Sequence, residues 1–170
     1  MDHVLPPTDA ELDYIRRIPF SGAEMKAAWG IRSFINDISD EEALTRYLTR
    51  PTCTICGLRS GFIDPGDKTV LPGSALVKLD FRLVPNLTPA LARDLLRAHL
   101  DRRGFGDIRI IEHAGMVAAR TDVRSNVVKD AVAAAHEVYG AEPVVYPSSG
   151  GSGPVYTLIQ ALGTPGAIMA

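Results

Sequence analysis

The sequence K-T-V-L-P-G-S-A-L-V-K-L-D-F-R-L-V-P, residues 68–85, decides the fold of this chain. From residue 75 to residue 83 every odd position is apolar, whereas the even positions include Lys78, Asp80 and Arg82. Alternation with a period of two is typical of a β-strand with one buried face and one polar face. Prolines close the stretch at both ends, because proline cannot donate to a sheet ladder. We therefore predict a strand over residues 68–85.

The charged row on the polar face of this strand has two interpretations. Lys78, Asp80 and Arg82 fit a solvated face with a local ladder of ion pairs, which is the ordinary role of such residues. Alternatively, Arg82 recognises a carboxylate, since its planar guanidinium suits bidentate binding. The pattern by itself leaves both interpretations open.

The first 50 residues predict three short helices. Thr8 is the expected N-cap of the first helix, and Ser21 and Ser39 each stand three residues before a glutamate, which is capping-box spacing. Helices this short are marginal in isolation and must pack on other elements. We interpret residues 1–50 as structural cover without chemistry of its own.

The region around the decisive strand predicts an α+β fold. β-branched residues indicate a strand over residues 53–62, and the turn residues at 64–67 return it as a hairpin into residues 68–85. A helix should follow from its N-cap Thr88 to Gly104, and then a strand over residues 107–113. Hairpin, helix and strand predict an antiparallel sheet with helices on one face.

The last part of the chain predicts a different arrangement. A helix should run from Ser125 to Gly140, followed by an apolar strand at residues 143–147. A glycine-rich turn, a helix beginning near Pro154 and a second apolar strand at residues 164–170 come next. Strand, turn, helix and strand form a βαβ unit, which predicts a partial α/β segment with a parallel sheet. Because the apolar run continues to the last residue, we expect the chain to be a fragment.

The pair Cys53-x-x-Cys56 matches the spacing of redox and zinc motifs. A redox site of this kind stands at a helix start, and a zinc site needs two further ligands at similar spacing. Positions three apart on a regular strand point to opposite faces. We therefore predict that both cysteines are structural.

The glycine-rich turn, residues 148–153, also has two interpretations. A turn of this kind before a helix exposes backbone N–H groups, and the helix dipole favours an anion there. Ser152 then either caps the helix or donates its hydroxyl to a ligand. The alternative is a flexible turn followed by an ordinary N-cap. A phosphate loop is excluded, because no Gly-Lys-Ser/Thr follows.

Composition narrows the classes of partner. The chain of 170 residues has a formal net charge of −2, which gives no basic surface for a nucleic acid. No apolar run reaches the length of a membrane span, so no membrane partner is expected. The N-terminal residues lack the pattern of a signal peptide, and we expect a cytoplasmic location.

Three segments together resemble one family: K-T-V-L-P at residues 68–72, R-L-V-P at residues 82–85 and G-G-S-G-P at residues 150–154. This family comprises the zinc-dependent aminoacylase, carnosinase and carboxypeptidase-G metallopeptidases, and the carnosinase-like dipeptidase branch is the most similar. The resemblance implies hydrolysis of dipeptides or N-acyl amino acids.

The resemblance also implies roles for four residues. Arg82 is expected in the clamp for the substrate carboxylate, and Gly151 and Ser152 are expected to hold that carboxylate or the developing oxyanion. Thr69 is expected to reach into the active site of a second subunit. The implied partner is therefore a second copy of the chain.

By the same resemblance, residues 1–117 form a lid or dimerisation domain and residues 118–170 begin a catalytic domain. Zinc is expected in the full-length family member. None of the four histidines stands in the family's full ligand set, and the pair Glu41-Glu42 lies in a predicted helix cap. We expect no catalytic residue, no metal site and no hydrolysis by this chain alone.

Two other functions remain as alternatives. The first is a non-catalytic module that self-associates through its sheet edge and a helix. The second is a small α+β domain that binds a ligand, with the glycine turn as its anion site.

Overall fold

The computed structural model describes residues 3–168 and has an α+β architecture. Within that range, the chain forms six α-helices and one hairpin of two antiparallel strands. Their bounds are α1 (Asp9–Arg16), α2 (Gly22–Trp29), α3 (Asp40–Thr49), β1 (Thr52–Ser60), β2 (Ala75–Arg82), α4 (Pro89–Arg102), α5 (Asn126–Tyr139) and α6 (Val155–Leu162), with a 3₁₀ turn at Ile35–Asp37 between α2 and α3. No helix in the described part of the chain has the length and apolar character needed to cross a bilayer.

The predicted caps of the first three helices are confirmed. Thr8 forms a full capping box with Glu11, since the Thr8 hydroxyl accepts from the Glu11 N–H and the Glu11 carboxylate accepts from the Thr8 N–H at 2.7 Å. Ser21 and Ser39 accept from the N–H groups three residues later. These bonds satisfy backbone donors that the helix leaves unpaired, and they explain why the helices begin where they do.

A small apolar core joins α1 to α3. Its four buried residues are Ile15, Ile18, Leu44 and Leu48, and Phe20 packs against them. Ile15 and Leu48 are 1% and 3% exposed, so each is enclosed almost completely. The C-terminal turn of α3, which leads directly into β1, is therefore firmly anchored.

The hairpin contains a β-bulge at Cys56. Ile55 pairs with Leu79 and Gly57 pairs with Lys78, so Cys56 is an extra residue without a partner. One inserted residue changes which face the following side chains occupy. From Gly57 onward, β1 is therefore shifted by one position relative to a regular strand.

This shift gives the hairpin one apolar face. We define the apolar face by the residues that the register places together: Cys53, Ile55, Leu58 and Ser60 of β1, with Ala75, Val77, Leu79 and Phe81 of β2. The even positions of β2 occupy the opposite, polar face. The expectation that positions three apart in β1 point to opposite faces assumed a regular strand and does not hold across the bulge.

The predicted strand over residues 68–85 is shorter in the structure. It begins at Ala75, and residues 61–74 form the hairpin loop, which is longer than the turn expected at residues 64–67. Pro72 has no N–H to donate, so the ladder cannot continue through it. Only the alternating half of the stretch forms β2.

The apolar face is open rather than buried. Val77, Leu79 and Phe81 are 50%, 38% and 36% exposed. Helix α4 does not pack down on the hairpin, and the two line a cleft of about 2750 Å³ that borders residues of both faces of β2. The alternation thus correctly predicted a strand, but the expected cover of its apolar face is not provided by residues 3–168.

The remaining predicted strands are not formed in the described part of the chain. Residues 107–113 and 143–147 pair with no neighbouring strand, and a strand needs such a partner to satisfy its backbone groups. The strand expected at residues 164–170 extends beyond the described residues. The predicted helices α4, α5 and α6 are present, and Gly104 and Gly140 follow the first two with φ angles of 83° and 65°.

The connector, residues 114–125, holds separate parts of the chain together. Arg120 Nε lies 3.2 Å from Glu11 Oε1 of α1. The neighbouring Thr121 hydroxyl donates to the carbonyl of Gly166 at 2.6 Å and accepts from its N–H at 3.3 Å. Two adjacent residues of the connector therefore bind the first helix and the segment after α6.

The end of the connector is ordered by a local ion pair. Asp122 accepts from the backbone and guanidinium of Arg124, and these bonds lower the pKa of the Asp122 carboxyl to about 2. A depressed pKa means that the fold favours the ionised carboxylate. This interaction lies just before α5, whose N-cap is Ser125.

Candidate functional site

Arg82 lies at the end of β2 where the hairpin meets α3. The register pairs it with Thr52, only three residues after the last residue of α3. Asp80 precedes it by two positions on the same polar face, and Arg82 Nε lies 3.0 Å from Asp80 Oδ2. The guanidinium is about half exposed, so it is accessible from the cleft.

The structure brings Ser152 to Arg82 across 70 residues of sequence. Arg82 Nη1 donates to Ser152 Oγ at 2.7 Å. Because the serine oxygen accepts this bond, its own O–H proton remains available for another acceptor. A carboxylate placed beside the pair would receive charge-assisted bonds from the guanidinium and a bond from the hydroxyl.

The glycine-rich turn supports this pair through its own bonds. The Gly151 N–H donates to Ser149 Oγ at 3.2 Å, so it is engaged within the turn. Pro154 occupies the N-cap position of α6, and no side chain caps this helix. Of the two roles predicted for Ser152, the cap is therefore not observed. The hydroxyl is bound to Arg82 instead.

Thr69 is not part of this arrangement. It lies exposed in the hairpin loop, beyond the opposite end of β2 from Arg82. The eight residues of β2 extend over roughly 23 Å at about 3.3 Å per residue. Of the four predicted site residues, the structure thus brings Arg82, Gly151 and Ser152 to one place, whereas Thr69 stays at a distance.

One residue of the site was missed from the sequence. Tyr47, in the last turn of α3, packs against Gly150 of the glycine turn. The local pattern places Tyr47 on the same apolar stripe as Leu44 and Leu48, so it does not indicate a contact with the glycine turn. The contact depends on a fold that brings residues 47 and 150 together.

The described residues offer no set of ligands for a metal ion. Between residues 3 and 168 no group of three or more histidine, cysteine, aspartate or glutamate side chains converges. His99 and Asp101 do have His-x-Asp spacing, but positions two apart on a helix do not face each other. Asp101 is also bound to Arg97 at 2.9 Å. These residues do not fit a zinc centre.

The cysteine pair has little of the character of a reactive site. Partial burial, with a smaller contribution from Cys56, raises the pKa of the Cys53 thiol. A raised pKa lowers the fraction of thiolate, which is the reactive form. Both cysteines are exposed on β1, and their structural role stays a prediction.

Comparison with known proteins identifies relatives of this chain. The family model described as "Peptidase dimerisation domain" matches residues 9–107. The structure of an M20 family metallo-carboxypeptidase from Sulfolobus solfataricus is similar, with 37% identity and a TM-score of 0.83 over 95% of this chain and 37% of that one.

Two groups of dipeptidases are also similar. The Beta-Ala-His dipeptidase of Rattus norvegicus is 28% identical over 147 residues, which cover 84% of this chain and 30% of the relative. The Cys-Gly metallodipeptidase of Saccharomyces cerevisiae is 29% identical over 100 residues, 59% of this chain and 21% of the relative.

The match to the dimerisation domain extends over more than half of the sequence and includes both strands of the hairpin and α4. The chain spans about a third of the length of the rat dipeptidase and of the Sulfolobus carboxypeptidase. The resemblance inferred from the three sequence segments is thereby confirmed, and the chain belongs to the M20 peptidase dimerisation-domain family.

Proposed function

We propose that this chain is the dimerisation and carboxylate-binding part of a metal-dependent hydrolase that cleaves dipeptides or N-acyl amino acids. In this proposal residues 1–117 form the lid and residues 118–170 begin the catalytic domain. Zinc would belong to other parts of the full-length enzyme, and residues 3–168 supply no step that depends on it. The chain alone would bind substrate without hydrolysing it.

The bond between Arg82 and Ser152 is the observation that carries the proposal. A surface arginine that already pairs with a nearby aspartate does not need a hydrogen bond to a serine 70 positions away in the sequence. Here Arg82 Nε binds Asp80 and Arg82 Nη1 binds Ser152, so the guanidinium and the serine hydroxyl are held together at the lining of the cleft. Gly151 and Ser149 hold the turn behind them. Such an arrangement suits recognition of one carboxylate.

We expect Arg82→Ala to remove the preference of the chain for a carboxylate. The chain should bind N-acetylglycine more tightly than N-acetylglycinamide, which has the same size but no charge. Because Arg82 is partly exposed, the loss on substitution should be about tenfold, near the low end for charge-assisted hydrogen bonds. Titration followed by NMR would measure both ligands.

Arg59→Ala provides the matched control, because Arg59 lies on the same polar face at the far end of β1. It should leave the preference unchanged. Equal binding of the acid and the amide by the unaltered chain would contradict the proposed site.

The hairpin is also the proposed surface for pairing. Ile55 and Leu58 are 66% and 72% exposed on the apolar face, and both edges of the two-stranded sheet lack a neighbour within residues 3–168. Exposed apolar surface and open edges are features that association removes from water. Thr69 would reach a partner's site from the loop of this hairpin.

Light scattering should therefore give a mass near twice the 18.3 kDa of one chain. Leu58→Asp should weaken the pairing by roughly tenfold or more, because it places a charge in the proposed interface. Leu76→Asp is the control, since Leu76 is similarly exposed but lies on the polar face. A monomer at millimolar concentration would contradict the pairing.

A further inference from the structure

Tyr47 stands on one of the most firmly held elements of the structure. Its neighbour Leu48 is 3% exposed in the core between α1 and α3, which anchors the last turn of α3. The Tyr47 side chain instead leaves the helix on the side of the cleft, where the residue is 62% exposed. An aromatic ring on an anchored helix is a rigid surface, because only two torsions move it.

The glycine turn lies directly against this ring. A methyl group built on Gly150 would stand 2.6 Å from Tyr47 Oη, 2.8 Å from Cζ and 2.9 Å from Cε2. Carbon atoms do not approach so closely, so no side chain fits at residue 150 while Tyr47 keeps its position. The contact involves the ring edge as well as the hydroxyl.

The position of Ser152 depends on the same turn. Only Gly151 lies between Gly150 and Ser152, whose Oγ is bound to Arg82. The turn has few other restraints, since its backbone is exposed and one N–H is bonded to Ser149 within the turn. A glycine-rich segment has high conformational freedom, and ordering it requires an external contact.

From this geometry we infer that Tyr47 is a positioning residue for the Arg82–Ser152 pair. The Tyr47 ring holds the glycine-rich turn at Gly150. The turn then keeps the Ser152 hydroxyl within hydrogen-bond distance of the Arg82 guanidinium. The inference rests on the proposed carboxylate site, but it makes a separate claim about what orders that site. Tyr47 acts through the turn and need not touch the ligand.

The test compares Tyr47→Phe, Tyr47→Ala and Gly150→Ala in the full 170-residue chain. Tyr47→Ala removes the surface, and Gly150→Ala displaces the ring, so each should weaken binding of N-acetylglycine about fivefold by loosening the turn. Tyr47→Phe keeps the ring and should stay within about twofold of the unaltered chain. The two alanine changes combined should be no worse than one alone, because they break one contact.

Two further measurements separate positioning from a general loss of structure. In the Arg82→Ala background, Tyr47→Ala should have no additional effect on binding. The Ser152 amide should exchange with solvent faster in Tyr47→Ala, whereas amides of the core helices α1 and α3 should not. An unchanged Ser152 amide, or an equal loss of binding with and without Arg82, would overturn the inference. If the unaltered chain does not bind N-acetylglycine, the proposed site fails, and the exchange of the Ser152 amide still decides the role of Tyr47.

Discussion

Arg120→Met should lower the free energy of unfolding by about 2–3 kcal/mol, since it leaves a buried carboxylate without its partner. Glu11 has a side chain only 6% exposed, and Arg120 is 18% exposed. The other oxygen of the carboxylate binds the N–H and hydroxyl of Thr8, so Glu11 cannot turn toward water without breaking the capping box. Methionine keeps much of the apolar stem, and the change therefore removes mainly the charge.

Urea unfolding followed by circular dichroism would measure the loss, and a double-mutant cycle would assign it. In the Glu11→Gln background, glutamine can still serve the capping box, and Arg120→Met should then cost less than about 1 kcal/mol. Arg16→Met is the matched control, because its partners Asp13 and Glu41 are exposed and such pairs contribute about 0.5 kcal/mol. Additive effects of the Glu11 and Arg120 changes would contradict the coupling.

The second large effect is expected from Gly22→Ala. Gly22 is buried at the start of α2, and its N–H donates to Asp40 Oδ2 at 3.0 Å. An added methyl carbon would overlap the carboxylate of Asp40, so the carboxylate must move away. We expect a loss of about 2 kcal/mol from the broken hydrogen bond and the displaced side chain.

Removal of Asp40 should abolish this penalty. In the Asp40→Ala background, Gly22→Ala should be neutral or should stabilise the chain by about 0.5 kcal/mol, because alanine favours a helix more than glycine does. Gly73→Ala controls for the substitution itself, since a methyl group there meets nothing within 4 Å. A large loss that persists without Asp40 would show that the close contact is not its cause.

The features predicted correctly from the sequence are local ones. Thr8, Ser21 and Ser39 cap their helices through bonds to residues three positions away. Gly140 ends α5 with a positive φ angle that few other residues adopt. Each of these outcomes depends on a few adjacent residues, so a short sequence pattern contains the necessary information.

The features that were missed depend on distant parts of the chain. The packing of Tyr47 on Gly150 joins two elements about a hundred positions apart, and no period in the sequence indicates it. Arg82 and Ser152 were selected by resemblance to a family, and that they are bound to each other came only from the structure. Strands expected at residues 107–113 and 143–147 lack neighbours, because pairing requires a second segment at the right distance.

The extra residue at Cys56 has a consequence for comparing this chain with its relatives. A relative without that residue should align correctly only when a one-position gap is opened at Cys56. An ungapped alignment would match side chains of the apolar face to side chains of the polar face for the rest of the strand. The same phase change explains why hydropathy oscillates clearly along residues 75–83 but cancels along residues 52–60. The second cysteine of the spacing that resembles a redox motif is therefore the residue at which the alternation of faces along β1 is interrupted.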